Sequence, residues 1–176
     1  GMGYIEETGM AQYFRDARIT TIYEGTTGIQ SNDLIGRKLL RDKGAGMYAL
    51  IVEMTAVAAK LSQADLNDIG EDLQKGIDSL VSAVQSIFNQ ISNSDDFAGA
   101  VSVNFLMLAG TVCGAWQMAR AALAVQAETN LSSQFCSRKL ATTRFYMKHV
   151  LPRAQAYQKT IETTGDCVMS IPIEQL

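Results

Sequence analysis

From Leu66 to Ile91, apolar residues recur at alternating intervals of three and four: Leu66, Ile69, Leu73, Ile77, Leu80, Val84, Ile87 and Ile91. A helix advances 100° per residue, so this spacing keeps all of them on one face for about seven turns. A strand would scatter the same residues over both of its faces. A helix with one long apolar stripe has to bury it against other helices, and the neighbouring sequence supplies them. Met47, Leu50, Met54, Val57 and Leu61 form a shorter stripe before it. Phe97, Val101, Phe105, Leu108, Val112, Ala115, Ala119 and Leu123 form one after it, with apolar residues around much of the remaining circumference. Cys136, Leu140, Thr143, Met147, Leu151, Ala154 and Ile161 form the last. Four such patterns with short connections predict an all-α fold, an up-and-down antiparallel four-helix bundle preceded by a short helix and loop.

The breaks between the patterns carry their own chemistry. Asn93-Ser94-Asp95 reads as a break and cap, and Thr129-Asn130 with Ser132-Ser133 as the next turn. Pro152 lies inside the fourth pattern, where it removes a backbone donor and predicts a kink. The third pattern is expected to be the most buried, with Gly110 and Gly114 one turn apart allowing a neighbour to approach closely. Gly165 ends the fourth pattern, and the tail SIPIEQL is expected to be loosely held. Lys43-Gly44-Ala45-Gly46 is the predicted boundary between two parts, residues 1–43 and 44–176.

Hydrophobic residues make up 47% and charged residues 19% of the 176, enough for a sizeable core. A net charge of −3 argues against nucleic acid as a partner, since phosphate binding calls for a basic face. Cys113, Cys136 and Cys167 show neither a disulfide framework nor a CxxC metal pattern, which predicts small core thiols in a reduced, cytoplasmic protein. The longest apolar run, Phe105 to Trp116, falls short of the roughly 20 residues that span a bilayer, so no membrane span is expected. The opening GMGYIEETG has no apolar signal region. His149 has no paired ligand residues and reads as a helix histidine, while Trp116 and Tyr146 read as core.

The stretch that carries chemistry precedes all of this. Residues 10–18 read as a short helix, and the β-branched run Ile19 to Ile22 as extended chain. Tyr23-Glu24-Gly25-Thr26 forms a turn, and Thr27 with Gln30 fits a capping box for a helix that starts near Ser31 or slightly earlier and reaches about Arg41. Leu34, Ile35 and Leu39 of that helix are expected to be exposed without a partner. Glu24 in such a turn is most often a solvated capping residue. It becomes a base only when held near backbone N–H donors, which a helix N-terminus provides. Arg15, Asp16 and Arg18 read as an ion-pair cluster positioning the turn rather than as phosphate ligands.

Four consecutive motifs decide between those readings of Glu24. Met2-Gly-Tyr-Ile-Glu-Glu-Thr-Gly9, Arg15-Asp-Ala-Arg-Ile19, Ile22-Tyr-Glu-Gly-Thr-Thr-Gly-Ile-Gln30 and Gly36-Arg-Lys-Leu39 together resemble the end of an acyl-CoA dehydrogenase in order and spacing. Ala141-Thr-Thr-Arg-Phe-Tyr146 and His149-Val-Leu-Pro152 are similar to the helical C-terminal extension of the longer members, a branch that includes enzymes acting on 3-methylthiopropionyl-CoA.

The resemblance implies FAD and an acyl-CoA substrate for the intact parent, an electron-transfer flavoprotein as electron acceptor, and a homo-oligomer. It implies that Glu24 is the base for the α-proton while hydride leaves the β-carbon, with Tyr23 and Gly25 beside the thioester. Thr26, Thr27 and Gly28 would touch FAD, although the family often has Gln or Glu at the place of Gly28. Gly3 would close a glycine loop that reaches FAD from a neighbouring subunit, although the first glycine of that loop is absent. The domains that cradle the flavin are not in this sequence, so the chain alone is expected to bind no FAD and to be inactive. The competing reading is a non-catalytic helical module for oligomerisation or partner contact.

Overall fold

The computed structural model describes residues 1–92, 96–164, 167, 170, 171 and 173–175. The readings placed on Asn93-Ser94-Asp95, on Gly165 and on parts of the tail lie outside the described residues. Every regular element among the described residues is helical, so the chain is all-α. It divides into two compact units, residues 1–30 and 31–176.

In the first unit, short 3₁₀ turns at Met2–Tyr4 and Glu6–Thr8 lead into α1, Ala11–Tyr23. The Ile19 to Ile22 run is helical, not extended. The helix penalty of a β-branched residue is only a few tenths of a kcal/mol, and no partner strand is present among the described residues to reward extension. Two hydroxyls also bond back along the helix, Thr20 Oγ1 to the Ala17 carbonyl at 2.8 Å and Thr21 Oγ1 to that of Arg18 at 2.9 Å. The next helix, α2, spans Thr27–Asp33 and continues without a break as a π-turn segment, Leu34–Leu40. Its cap is Thr26 rather than Thr27, because Thr26 Oγ1 accepts from the Ile29 amide at 3.3 Å.

The second unit begins within α2. Ile35 and Leu39, expected to be exposed, are 1% exposed, and Leu34 is half-buried. The segment Leu34–Leu40 packs on α3, Ala45–Gln63, and on α5, Phe97–Ala127, which cover that stripe. The α2 segment ends in a Schellman turn. The Gly44 amide donates to the Leu39 carbonyl at 2.8 Å and the Lys43 amide to that of Leu40 at 3.2 Å, with Lys43 and Gly44 both at positive φ. Asp42 then caps α3, its Oδ1 and Oδ2 accepting from the amides of Gly44 at 2.9 Å and Gly46 at 2.8 Å. A second reversal of the same kind follows α3, where the Leu66 amide reaches the Leu61 carbonyl at 2.9 Å with Asp65 at φ 57°.

The helix α4, Asn67–Gln90, buries the predicted stripe from Ile69 through Ile87. It packs on α3, on α5 and on α7, Arg153–Thr163. It also exceeds α5 in burial, with 11 of its 24 residues buried against 11 of 31. The reason is position: α4 meets helices on several sides, whereas Val103 and Met107 of α5 are each 43% exposed. By length and composition α3 and α5 could each cross a bilayer, but Met54, Leu61, Phe105 and Leu108 on them are core residues.

The fourth pattern is two helices rather than one kinked helix. Ser132 caps α6, Ser133–Phe145, through its Oγ and the Phe135 amide at 3.2 Å. A π-turn follows over Tyr146–Val150, closed by the Leu151 amide on the Tyr146 carbonyl at 3.0 Å. Pro152 has no N–H to offer the Lys148 carbonyl, and α7 restarts after it. Gly114 lets Tyr146 lie against α5, where the Tyr146 hydroxyl donates to the Thr111 carbonyl at 3.1 Å. Gly110 faces open space and allows no approach. Cys113 and Cys136 are half-buried, while Cys167 is exposed rather than core.

Candidate functional site

Glu24 terminates α1 in an extended conformation, φ −80° and ψ 172°, and its side chain is exposed. The turn after it is short because of Gly25. A Cβ there would meet Ile29 Cγ2 at 3.0 Å, so the backbone passes close over the first turn of α2. Thr26 fixes the entry to that helix, with its carbonyl accepting from the Gln30 amide at 3.0 Å besides the hydroxyl cap. The carboxylate therefore sits two residues before the Thr26 cap of a helix that runs on to Leu40. Early amides of such a helix carry a partial positive charge available to an anion or a polarised carbonyl oxygen.

Of the remaining candidates, Tyr23, Thr26, Thr27 and Gly28 adjoin the same turn in sequence and Gly3 does not. Tyr23 is 74% exposed, and Thr26 and Thr27 are exposed. Gly28 is half-buried, and a Cβ there would make only ordinary contact with Thr26 Oγ1 at 3.8 Å. Gly3 lies in the first 3₁₀ turn with open space around it. Arg15 pairs with Glu6 at 2.5 Å, tying α1 to the preceding turn, and Arg18 donates to Thr21 Oγ1 at 2.9 Å. These two arginines thus brace α1 rather than point a charge at Glu24.

A flavin needs amides and small residues along one edge and walls on the others. Residues 24–28 provide the first: a glycine turn, a capping threonine and a helix start. They provide no enclosure within the first unit, whose large apolar side chains face outward. Tyr4 is 80% exposed, and Tyr13, Phe14, Ile22 and Ile29 are also well exposed. Met10 is 51% exposed as well, and Ala11 is the buried residue of α1.

In the second unit, His149 stacks on Phe145 with ring centroids 4.6 Å apart and is an exposed helix residue. Trp116 and Tyr146 are half-buried, and the Arg120 guanidinium lies 5.2 Å from the Trp116 ring centroid. Among the described residues, no group of three His, Cys, Asp or Glu side chains converges as a metal site would require. The sequence reading missed a cleft of about 190 Å³ between α4 and the α6–α7 junction, lined by Asp72, Lys75, Met147, Lys148 and Leu151 among others. Its signal was Asp72, a carboxylate placed one residue from the apolar stripe of α4 and 8% exposed.

Comparison with known proteins accounts for both parts of the chain. Residues 1–40 match the acyl-CoA dehydrogenase C-terminal domain, and residues 50–172 match the family described as acetyl-CoA dehydrogenase C-terminal like. The chain is 38% identical over 174 residues to the 3-methylmercaptopropionyl-CoA dehydrogenase of Ruegeria pomeroyi, covering 97% of this chain and 30% of that protein. It is 32% identical over 184 residues to a broad-specificity linear acyl-CoA dehydrogenase of Mycobacterium tuberculosis, again 97% of this chain and 30% of the relative. The short-chain specific acyl-CoA dehydrogenase of Rattus norvegicus aligns over 39 residues only, at 54% identity, covering 22% of this chain and 10% of that enzyme. The chain thus spans about 30% of the length of the two relatives it matches throughout. Two family matches in sequence order, one on the turn that holds Glu24 and one on the helices after it, place the chain in the acyl-CoA dehydrogenase family as part of its C-terminal helical region.

Proposed function

We propose that the chain is the C-terminal part of an FAD-dependent acyl-CoA dehydrogenase, with Glu24 as the base that removes the α-proton of an acyl-CoA thioester. The observation that carries this is the coincidence of Glu24, a glycine turn and a helix start inside the segment matched to the dehydrogenase C-terminal domain. Residues 1–43 are the end of that domain, and residues 44–176 are the extension, an antiparallel four-helix arrangement in which α6 and α7 together make the fourth member. FAD, when bound, supplies the hydride acceptor for the β-carbon. Thr26, Thr27 and Gly28 would hold its edge, and Gly3 would contribute from a neighbouring subunit. Tyr23 and Gly25 flank the thioester, whose oxygen takes the Glu24 amide. The relatives' names favour a short or linear acyl group, and the parent is a cytoplasmic homo-oligomer that passes electrons to an electron-transfer flavoprotein.

On its own the chain is inactive, because exposed Glu24 lacks the desolvating walls that tune a base toward working pH. Titrating FAD and an acyl-CoA into the purified chain tests this: no flavin binding at micromolar concentration and no dye reduction are expected. Binding or turnover would overturn it. In a longer protein that includes a flavin-binding domain, Glu24→Gln should abolish turnover and leave flavin binding intact.

A second reading is an oligomerisation module, and one observation favours it: Tyr13, Phe14, Ile22 and Ile29 are exposed on the first unit. Light scattering across a concentration series tests it, since a monomer throughout would remove the oligomerisation reading.

A further inference from the structure

The cleft between α4 and the α6–α7 junction exists because the chain cannot continue one regular helix there. The π-turn Tyr146–Val150 and then Pro152 interrupt the regular helix, and a space of about 190 Å³ lies beside them. That is more than ten times the ~10–15 Å³ that admits one water, and comparable to an apolar cavity of about 150 Å³ that holds benzene. Met147, Leu151 and Ala154 make its apolar floor and are 2%, 4% and 1% exposed.

One side of the cleft is charged. Asp72 has a side chain 10% exposed. Its Oδ1 accepts from Lys75 Nζ at 3.1 Å, and its Oδ2 lies 2.5 Å from Lys148 Nζ. In the lining itself two ammonium groups face one carboxylate, a surplus of one positive charge beside an apolar floor, while Asp68 and Glu71 also act on Lys148 from outside it. Each ammonium has three N–H donors, more than Asp72 can occupy, and the two lysine side chains are 63% and 59% exposed. A cationic ligand would have to displace a lysine and would add to the surplus charge. A purely apolar ligand would strip water from the ammonium groups and give nothing back.

We propose that this cleft binds a small amphipathic carboxylic acid, its carboxylate on Lys148 and Lys75 and its short tail on Met147, Leu151 and Pro152. A monoanion complements the two ammonium groups of the lining, and the space fits a tail of roughly benzene size. Ser79 and Gln155 stand at the edge as further hydrogen-bonding groups. Asp72 holds the Lys148 ammonium above its ordinary range, mainly through its hydrogen bond, so at neutral pH a charged lysine meets an ionised acid.

The test uses the full chain with methyl-labelled methionine and three probes: hexanoate, hexanol and inorganic phosphate. Hexanoate should shift the Met147 methyl signal saturably, with hexanol and phosphate each about tenfold weaker. Lys148→Met should weaken hexanoate about fivefold, and Lys148→Arg should restore it. Hexanol binding as tightly as hexanoate would reduce the cleft to an apolar dimple. Phosphate binding as tightly would reduce it to a lysine surface. The absence of a saturable Met147 shift would remove the site. These three comparisons are made on the unmodified chain and do not depend on how a variant folds.

Discussion

At the scale of single residues, small size and local charge matter most where helices meet. A methyl group on Gly114 would fall inside the Tyr146 hydroxyl and break its bond to the Thr111 carbonyl. Gly114→Ala should therefore destabilise the chain by about 1–3 kcal/mol, read from the urea midpoint. Asp68 is held below the ordinary carboxylate range, chiefly by the hydrogen bond from Arg144, whose Nε lies 2.6 Å from Oδ2. A carboxylate with a depressed folded pKa adds stability above its unfolded pKa, and that stability is lost as pH falls through the folded value. Both side chains are 46% exposed, so solvent screening keeps the contribution below about 1 kcal/mol. Asp68→Asn should lower the melting temperature slightly at neutral pH, and the gap to the parent chain should close in acid.

At the scale of elements, ends were more legible than interiors. Asp42 closes the α2 segment's final turn and opens α3 with two side-chain bonds. Asp42→Ala should cost about 1 kcal/mol and shift the thermal midpoint down without changing helix content in the folded state. The Lys43 to Gly46 helix break, the turn at Ser132 and the α4 stripe could all be read from residue type and spacing alone. The Ile19 to Ile22 run could not, because propensity differences of a few tenths of a kcal/mol yield to the helix already under way at Ala11. Pro152 announced an irregularity. Whether it would bend one helix or separate two depended on the π-turn before it, which no residue type specifies.

At the scale of the molecule, the two units differ in how they are held. The second unit contains the continuous core from Ile35 to Ile161, whereas the first has Ala11 as its buried apolar residue among those described. Limited proteolysis should cut first within residues 1–30 and leave a resistant fragment starting near Ser31, followed by mass spectrometry. Uniform degradation of both units would contradict that. Family membership and the place of Glu24 in a glycine turn were legible in sequence, because ordered motifs at fixed spacing survive without any geometry. The exposure of the first unit and the burial of Ile35 and Leu39 were not, because a stripe shows that a partner is needed without naming it.

The sequence by itself determined that the chain is all-α, where the long stripe of α4 lies and which carboxylate is the candidate base. The first two follow from local periodicity, and the third from the family resemblance that the motifs around Glu24 carry. Only the tertiary structure decided that the α2 stripe is buried by α3 and α5, that Tyr146 uses the space at Gly114, and that Asp72, Lys75 and Lys148 meet at one cleft. Those outcomes join residues up to 76 positions apart, from Asp72 to Lys148, and packing chooses among the pairings that periodicity leaves equivalent.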